Sequence, residues 1–168
     1  MPHKNSYQGY WSVYGGLHAL FKSAYFWAAI ATTSMCSSIW MSVDGKADQW
    51  RNCVTSGVPS LLGFSLGGMA IMLSFSSGRF LDAIRQNGKK DSYLMKMVAS
   101  FFHLSIVLSF SLIAQIFLML EMPYCLKVAT QCVAFFSFVY GILLVPSTVA
   151  SIWHTARIFN AAIENEET

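Results

Sequence analysis

The hydrophobic positions of this chain gather into four long stretches that carry almost no charge, separated by short segments in which the charged residues cluster. A membrane-spanning helix needs about 20 apolar residues, because about 30 Å of hydrocarbon is crossed at about 1.5 Å per residue. Each stretch is long enough for this. The pattern therefore predicts an all-α membrane protein, a bundle of four transmembrane helices at residues 23–43, 56–78, 95–120 and 128–156.

The composition excludes an ordinary soluble domain. Of 168 residues, 55% are hydrophobic and only 11% are charged, whereas soluble domains carry about 25% charged residues. The residues outside the four spans are too few to form a second domain with its own core. We therefore expect residues 1–168 to form a single membrane domain in contact with the lipid bilayer.

The segments outside the spans differ in character. Residues 1–22 are rich in tyrosine and tryptophan, which favour the head-group region, so we expect an interfacial N-terminal segment. Residues 79–96 continue the apolar spacing of span two and are interrupted by Asn87 and Gly88, which predicts a basic helical hairpin extension between spans two and three. Residues 157–168 form an acidic tail.

The basic residues orient the bundle. With four spans the two termini lie on the same side as the middle loop, and that side holds eight of the 11 lysines and arginines. The positive-inside rule places this side in the cytoplasm. We therefore predict a multi-pass inner-membrane protein with both termini cytoplasmic, whose basic residues lie against lipid head groups and do not bind nucleic acid directly.

Small residues recur on one face of each of the first two spans. In span one they are spaced by four, and in span two they form a GxxxG pattern after Pro59, which we expect in the first helical turn. In lipid such faces let helices approach closely, so they predict helix packing or contacts between protomers. The residues are Ala24, Ala28, Thr32, Cys36, Gly63 and Gly67.

Polar residues form a stripe along span three, at Ser100, His103, Ser111 and Gln115. Because an unpaired polar group in hydrocarbon costs several kcal/mol, about 2 to 7 by transfer data, the stripe is expected to face the bundle interior, a subunit interface or a pore. In span four, Pro146 predicts a kink or a local opening of the helix.

The sequence contains little that indicates catalysis. It has no HExxH, CxxC or P-loop motif, so we expect no enzyme activity, no metal and no cofactor. His103 and His154 either share a site near the cytoplasmic face or each bond a neighbouring hydroxyl or carbonyl. Cys53 and Cys125 both fall at the outer face, where an oxidising compartment would allow a disulfide between them.

The run from Pro59 to Phe75, PSLLGFSLGGMAIMLSF, resembles the second span of small four-span membrane proteins of bacterial phage-defence operons, the Kiwa-type membrane subunit among them. The resemblance covers about 20 residues. It implies a homo-oligomeric membrane sensor or scaffold that works with a cytosolic partner in antiviral defence.

Three functions remain open from the sequence. The first is a non-enzymatic homo-oligomeric sensor or scaffold whose cytoplasmic basic residues dock a cytosolic protein; these residues are Arg79, Arg85, Lys89, Lys90 and Lys96. The second is an oligomeric pore or channel lined by the polar stripe, which would perturb the membrane potential. The third is a small-solute transporter, which the lack of ionisable residues in the span interiors disfavours.

Overall fold

The computed structural model describes residues 6–42, 45–74 and 92–164, which form α-helices joined by short turns, with no β-strand among them. Four short helices come first: α1 Ser6–Tyr14, α2 Gly16–Lys22, α3 Ala24–Met35 and α4 Ser37–Trp40. Three long helices follow: α5 Gly45–Ser74, α6 Tyr93–Phe117 and α7 Tyr124–Glu164. The prediction of an all-α fold is confirmed for these residues.

Three of these helices contain stretches that are long and apolar enough to cross a membrane, namely Asp48–Ile71, Tyr93–Phe117 and Tyr124–His154. They correspond to the predicted spans at 56–78, 95–120 and 128–156. Large apolar side chains also cover much of the outer surface, including Ile71, Phe110 and Ile116. The chain is therefore a membrane protein with three candidate spanning helices.

The predicted first span, 23–43, is not one continuous helix. It is interrupted at Cys36, which separates α3, 12 residues long, from α4, four residues long. The indole N–H of Trp40 donates to the carbonyl oxygen of Thr33 at 2.8 Å, and this carbonyl would otherwise accept the backbone N–H of Ser37. Because 12 residues extend about 18 Å, α3 alone is shorter than the hydrocarbon layer.

Helix α5 begins 14 residues before Pro59, at Gly45, so the prediction that Pro59 lies in the first turn of its helix is wrong. The physical reason is an apolar face that continues on the N-terminal side of the proline. Trp50, Val54 and Val58 are all buried, and their spacing of four keeps them on one side of the helix. Burial of this face extends the helix on the N-terminal side of Pro59, although Pro59 supplies no backbone N–H.

Helix α6 lies at the centre of the molecule, in contact with α1, α5 and α7. Half of its spanning window is buried, against 17% of the window in α5. Its inward side chains recur at steps of three and four, which is the spacing of one helix face. They include Met97, Phe101, Leu104 and Leu108.

Two glycines allow α6 to approach its neighbours closely. A methyl group at Gly141 of α7 would lie 2.5 Å from Cδ2 of Leu108, and one at Gly68 of α5 would lie 3.0 Å from the ring of Phe101. Real side-chain carbons do not approach below 3.0 Å. The crossings of α6 with α5 and with α7 therefore depend on small residues at these two positions.

The N-terminal helices pack along the long ones. Gly15 and Gly16 have φ values of +96° and +69°, which L-residues with side chains rarely adopt, and they turn the chain between α1 and α2. Helix α1 lies against α6. Helix α3 lies against α7, where the ring of Phe26 meets those of Phe136 and Tyr140 edge to face.

Candidate functional site

The polar stripe of α6 faces into the fold. His103, Ser111 and Gln115 are each no more than 6% exposed, and Ser100 is half-buried near the N-terminal end of the helix. At His103 and Ser111, other helices of the same chain supply the partners that hydrocarbon lacks.

The centre of the stripe is a hydrogen-bonded cluster around His103. Nδ1 of His103 lies 2.6 Å from the hydroxyl of Tyr10, and Nε2 lies 3.2 Å from the hydroxyl of Tyr140. The shorter distance is that of an O–H donor and the longer one that of an N–H donor. We therefore assign Tyr10 as the donor to Nδ1 and Nε2 as the donor to Tyr140, which makes the imidazole a neutral link between α1, α6 and α7.

A second tyrosine of α1 completes this cluster. The ring of Tyr14 stacks on His103 with centroids 4.2 Å apart. Tyr10, Tyr14, His103 and Tyr140, called here the tyrosine–histidine cluster, therefore hold α1 to the bundle without formal charge.

The cluster decides between two interpretations of His103. Its ring nitrogens bond neighbouring hydroxyls, as one of the two alternatives predicts, while His154 lies beside the ring of Tyr93, with centroids 5.5 Å apart. The sequence pattern did not indicate any of the three tyrosines as a partner of His103. The spacing of Tyr10 and Tyr14 by four, on one helix face, is a signal that pointed to a packed face of α1.

The site lies deep along α6. His103 is ten residues from Tyr93, which is about 15 Å along the helix. Tyr10 also packs edge to face on Phe102, with centroids 4.9 Å apart. We expect the N-terminal segment at the head-group level from its sequence. In the structure its helix α1 lies against the middle of α6.

The outer part of the stripe is less completely paired. Ser111 donates to the carbonyl oxygen of Ala134 at 3.0 Å. Gln115, one turn further along, has a buried Nε2 with no hydrogen-bond partner. Three other buried polar atoms of the described residues also lack one, namely Oγ1 of Thr33, Nε1 of Trp50 and Nε of Arg51. An unpaired buried donor costs about 1 to 3 kcal/mol, so this region is less favourable than the tyrosine–histidine cluster.

The predicted small-residue faces lie on the outside of the protomer. Ala24, Ala28 and Thr32 of α3 are exposed, and Cys36 is half-buried. Gly63 and Gly67 of α5 are exposed as well, and a methyl group at either would have no neighbour within 4 Å. Contacts inside the protomer use Gly68 instead, so Gly63 and Gly67 are available to another molecule.

The predicted docking residues Arg79, Arg85, Lys89 and Lys90, with most of the hairpin, lie outside the described residues. Lys96 lies in the second turn of α6 and lines a cavity of about 440 Å³ between α6 and α7. This cavity, called here the inner cleft, also contains Ser100 of the predicted stripe. Lys96 and Ser100 are four residues apart and therefore lie on the same face of α6.

Two further predictions concern single positions. Pro146 lies inside α7. The helix continues on both sides of the proline and does not open into a loop there. Cys53 and Cys125 are exposed thiols that are not bonded to each other in the structure. The disulfide stays a prediction for an oxidising outer compartment.

The chemistry of the site follows from these contacts alone. No group of three His, Cys, Asp or Glu side chains within the described ranges could hold a metal ion. No family model, curated protein or solved structure matches this chain. What the geometry offers is a buried link that holds α1, an exposed glycine face on α5 and a polar cleft at the inner end of α6.

Proposed function

We propose that this chain is a non-enzymatic sensor or scaffold of the bacterial inner membrane that forms homo-oligomers and acts through a cytosolic protein. The observation that supports this most directly is the exposed face of Gly63 and Gly67 on α5. A GxxxG face in lipid favours close helix association. Among the described residues, no atom lies within 4 Å of a methyl group placed at either glycine, so a second copy of the chain is its natural occupant.

The proposal includes four membrane crossings with both termini in the cytoplasm. The crossing nearest the N-terminus would be made in pieces, by α3 and α4 together with the docked α1. Phe26 at the start of α3 and Tyr10 of α1 both lie at the level of the tyrosine–histidine cluster. The cluster would then join the N-terminal pieces to the long helices.

The pairing of the stripe favours a sensor or scaffold over a pore. A pore needs its polar side chains directed at a water-filled path. Here the Ser111 hydroxyl is used by the carbonyl of Ala134, and both nitrogens of His103 are used by tyrosines. We therefore expect cysteines substituted at Ser111 and Gln115 to resist a water-soluble thiol reagent, and strong labelling of both would restore the pore hypothesis.

Self-association is tested by placing bulk on the glycine face. We expect Gly63→Leu combined with Gly67→Leu to abolish the oligomer detected by cross-linking in native membranes, because the larger side chains prevent close approach. Gly57→Leu is the matched control, since Gly57 is on the same helix, has no neighbour within 4 Å and lies on a different face. An oligomer that survives the double substitution would contradict the proposed interface.

Recruitment of a cytosolic protein is tested separately. Charge reversal at Arg85, Lys89 and Lys90 is expected to release a co-purifying soluble protein while the oligomer is kept. Charge reversal at Lys127 is the control, because Lys127 is also basic but lies at the other end of the bundle. Unchanged co-purification after the triple reversal would reject docking through these residues. The antiviral setting rests on the resemblance of residues 59–75 and is tested by phage challenge.

A further inference from the structure

The inner cleft is a second polar site, separate from the tyrosine–histidine cluster. It lies between the first two turns of α6 and the inner part of α7 and has a volume of about 440 Å³, within the usual range of about 300 to 1,000 Å³ for ligand sites. Its polar lining consists of Tyr93, Lys96 and Ser100 from α6 and Ser147, Ser151 and His154 from α7.

The charged side chains that the structure describes at the inner cleft are basic. Lys96 lines it, and Arg157 is exposed one turn beyond His154. Among side chains that the structure describes, the only acids are Asp48 and Glu121, and both belong to the opposite end of the bundle. The cleft therefore favours an anion.

The hydrogen-bonding groups suit phosphate oxygens. Lys96, the Tyr93 hydroxyl and the Ser147 hydroxyl are donors that line the same space. The first backbone N–H groups of α6 also begin here, because the helix starts at Tyr93, and the positive end of its dipole favours negative charge. Donors of this kind around an ammonium group are typical of phosphate recognition.

The position of the inner cleft points to lipid as the source of the phosphate. Trp153 is 69% exposed beside His154, and tryptophans of membrane helices concentrate at head-group depth. Met97 and Ala150 add an apolar side to the lining, as the glycerol and first methylenes of a lipid require.

We infer that the inner cleft binds the phosphodiester head group of an anionic phospholipid, with Lys96 as its principal cation. Basic pockets between membrane helices on the cytoplasmic side are suited to such head groups. The inference does not depend on self-association, because the cleft is built from α6 and α7 whereas Gly63 and Gly67 belong to α5.

The test measures lipid binding by the full chain. The detergent-solubilised, delipidated protein is titrated with phosphatidylglycerol or phosphatidylcholine, and bound lipid per chain is counted by native mass spectrometry. We expect one tightly held phosphatidylglycerol per chain, about fivefold weaker binding in Lys96→Gln, which matches the loss of one basic contact, and near-normal binding in Lys96→Arg. Equal retention of the two lipids would overturn the inference.

Two controls separate the inner cleft from general surface charge. Lys22→Gln removes an exposed lysine on the same predicted side but outside the cleft, so it should leave binding unchanged; an equal loss in Lys22→Gln and Lys96→Gln would overturn the inference. Ala150→Phe fills the cleft without changing charge, and Ala150 is exposed enough to accept the ring. This variant should lose phosphatidylglycerol while keeping its helical content.

A competition experiment distinguishes a lipid from a soluble phosphate compound as the ligand of the inner cleft. Inorganic phosphate is added in millimolar excess to the protein loaded with phosphatidylglycerol. Retention of the lipid is expected, because the apolar side of the cleft holds its glycerol and methylenes. Complete displacement would assign the cleft to soluble phosphate compounds and reject the lipid.

Discussion

Helices α5 and α6 are both long and apolar enough to cross a membrane, yet they place their small and polar residues in opposite ways. Half of the spanning window of α6 is buried, and its stripe is bonded to other helices of the chain at His103 and Ser111. Only 17% of the spanning window of α5 is buried, and a methyl group at Gly63 or Gly67 would have no neighbour within 4 Å. Helix α6 therefore organises the protomer, whereas α5 presents a face to its surroundings.

The largest expected effect comes from replacing a glycine that α6 needs. Gly141→Leu places a side chain where even a methyl would lie 2.5 Å from Leu108, so we expect a loss of about 3 kcal/mol in the free energy of unfolding, at the upper end for overpacking. Denaturation with sodium dodecyl sulfate, followed by circular dichroism, measures it. Gly57→Leu is the matched control on α5, because a methyl group at Gly57 has no neighbour within 4 Å, and it should unfold like the wild type. Equal stability of the two variants would remove the distinction between α5 and α6.

The next effect concerns the tyrosine–histidine cluster. His103→Leu leaves the Tyr10 hydroxyl without its acceptor and removes one partner of Tyr140, and an unpaired buried hydroxyl costs about 1 to 3 kcal/mol. We expect α1 to detach and its amides to exchange hydrogen faster while α5 to α7 stay protected. His18→Leu changes an exposed histidine in α2 and should have no effect. Unchanged exchange in α1 would show that His103 does not hold this helix.

A smaller effect isolates one hydrogen bond. Tyr10→Phe keeps the ring contacts with Phe102 and His103 and removes only the 2.6 Å hydrogen bond, so we expect α1 to lose about 1 kcal/mol of protection. Tyr124→Phe, at an exposed tyrosine, serves as the control. The measurement is again amide exchange of residues 6–14. A larger loss than in His103→Leu would contradict the assignment of His103 as the centre of the cluster.

The smallest effect has the opposite sign. Because Nε2 of Gln115 is buried without a partner, Gln115→Met removes an unsatisfied donor while keeping volume, and we expect stability to rise by up to about 1 kcal/mol. Ser111→Ala, which removes a paired hydroxyl of the same stripe, should lower it. The same denaturation assay compares the two. If Gln115→Met is destabilising, the outer part of the stripe is as well paired as the inner part.

Local sequence was sufficient for much of the architecture. Helical conformation and three of the membrane segments follow from the length and hydropathy of uninterrupted stretches, and both quantities are local. The inward direction of the stripe followed too, since a polar side chain has no partner in hydrocarbon. Local pattern failed where side-chain contacts decided the backbone, at Cys36, where the Trp40 indole takes the Thr33 carbonyl, and at Pro59, where burial of Trp50 and Val54 extends the helix.

The partners inside the bundle were decided only by the tertiary structure. Tyr10 and His103 are 93 positions apart, and His103 and Tyr140 are 37 apart, so no spacing along the chain indicates that they meet. The same holds for glycines: Gly63, Gly67 and Gly68 are equivalent by type and neighbourhood, and only the crossing with α6 makes Gly68 internal. Sequence by itself determined that this chain spans a membrane as helices, because that depends on each segment alone. Which faces meet depends on all the helices at once.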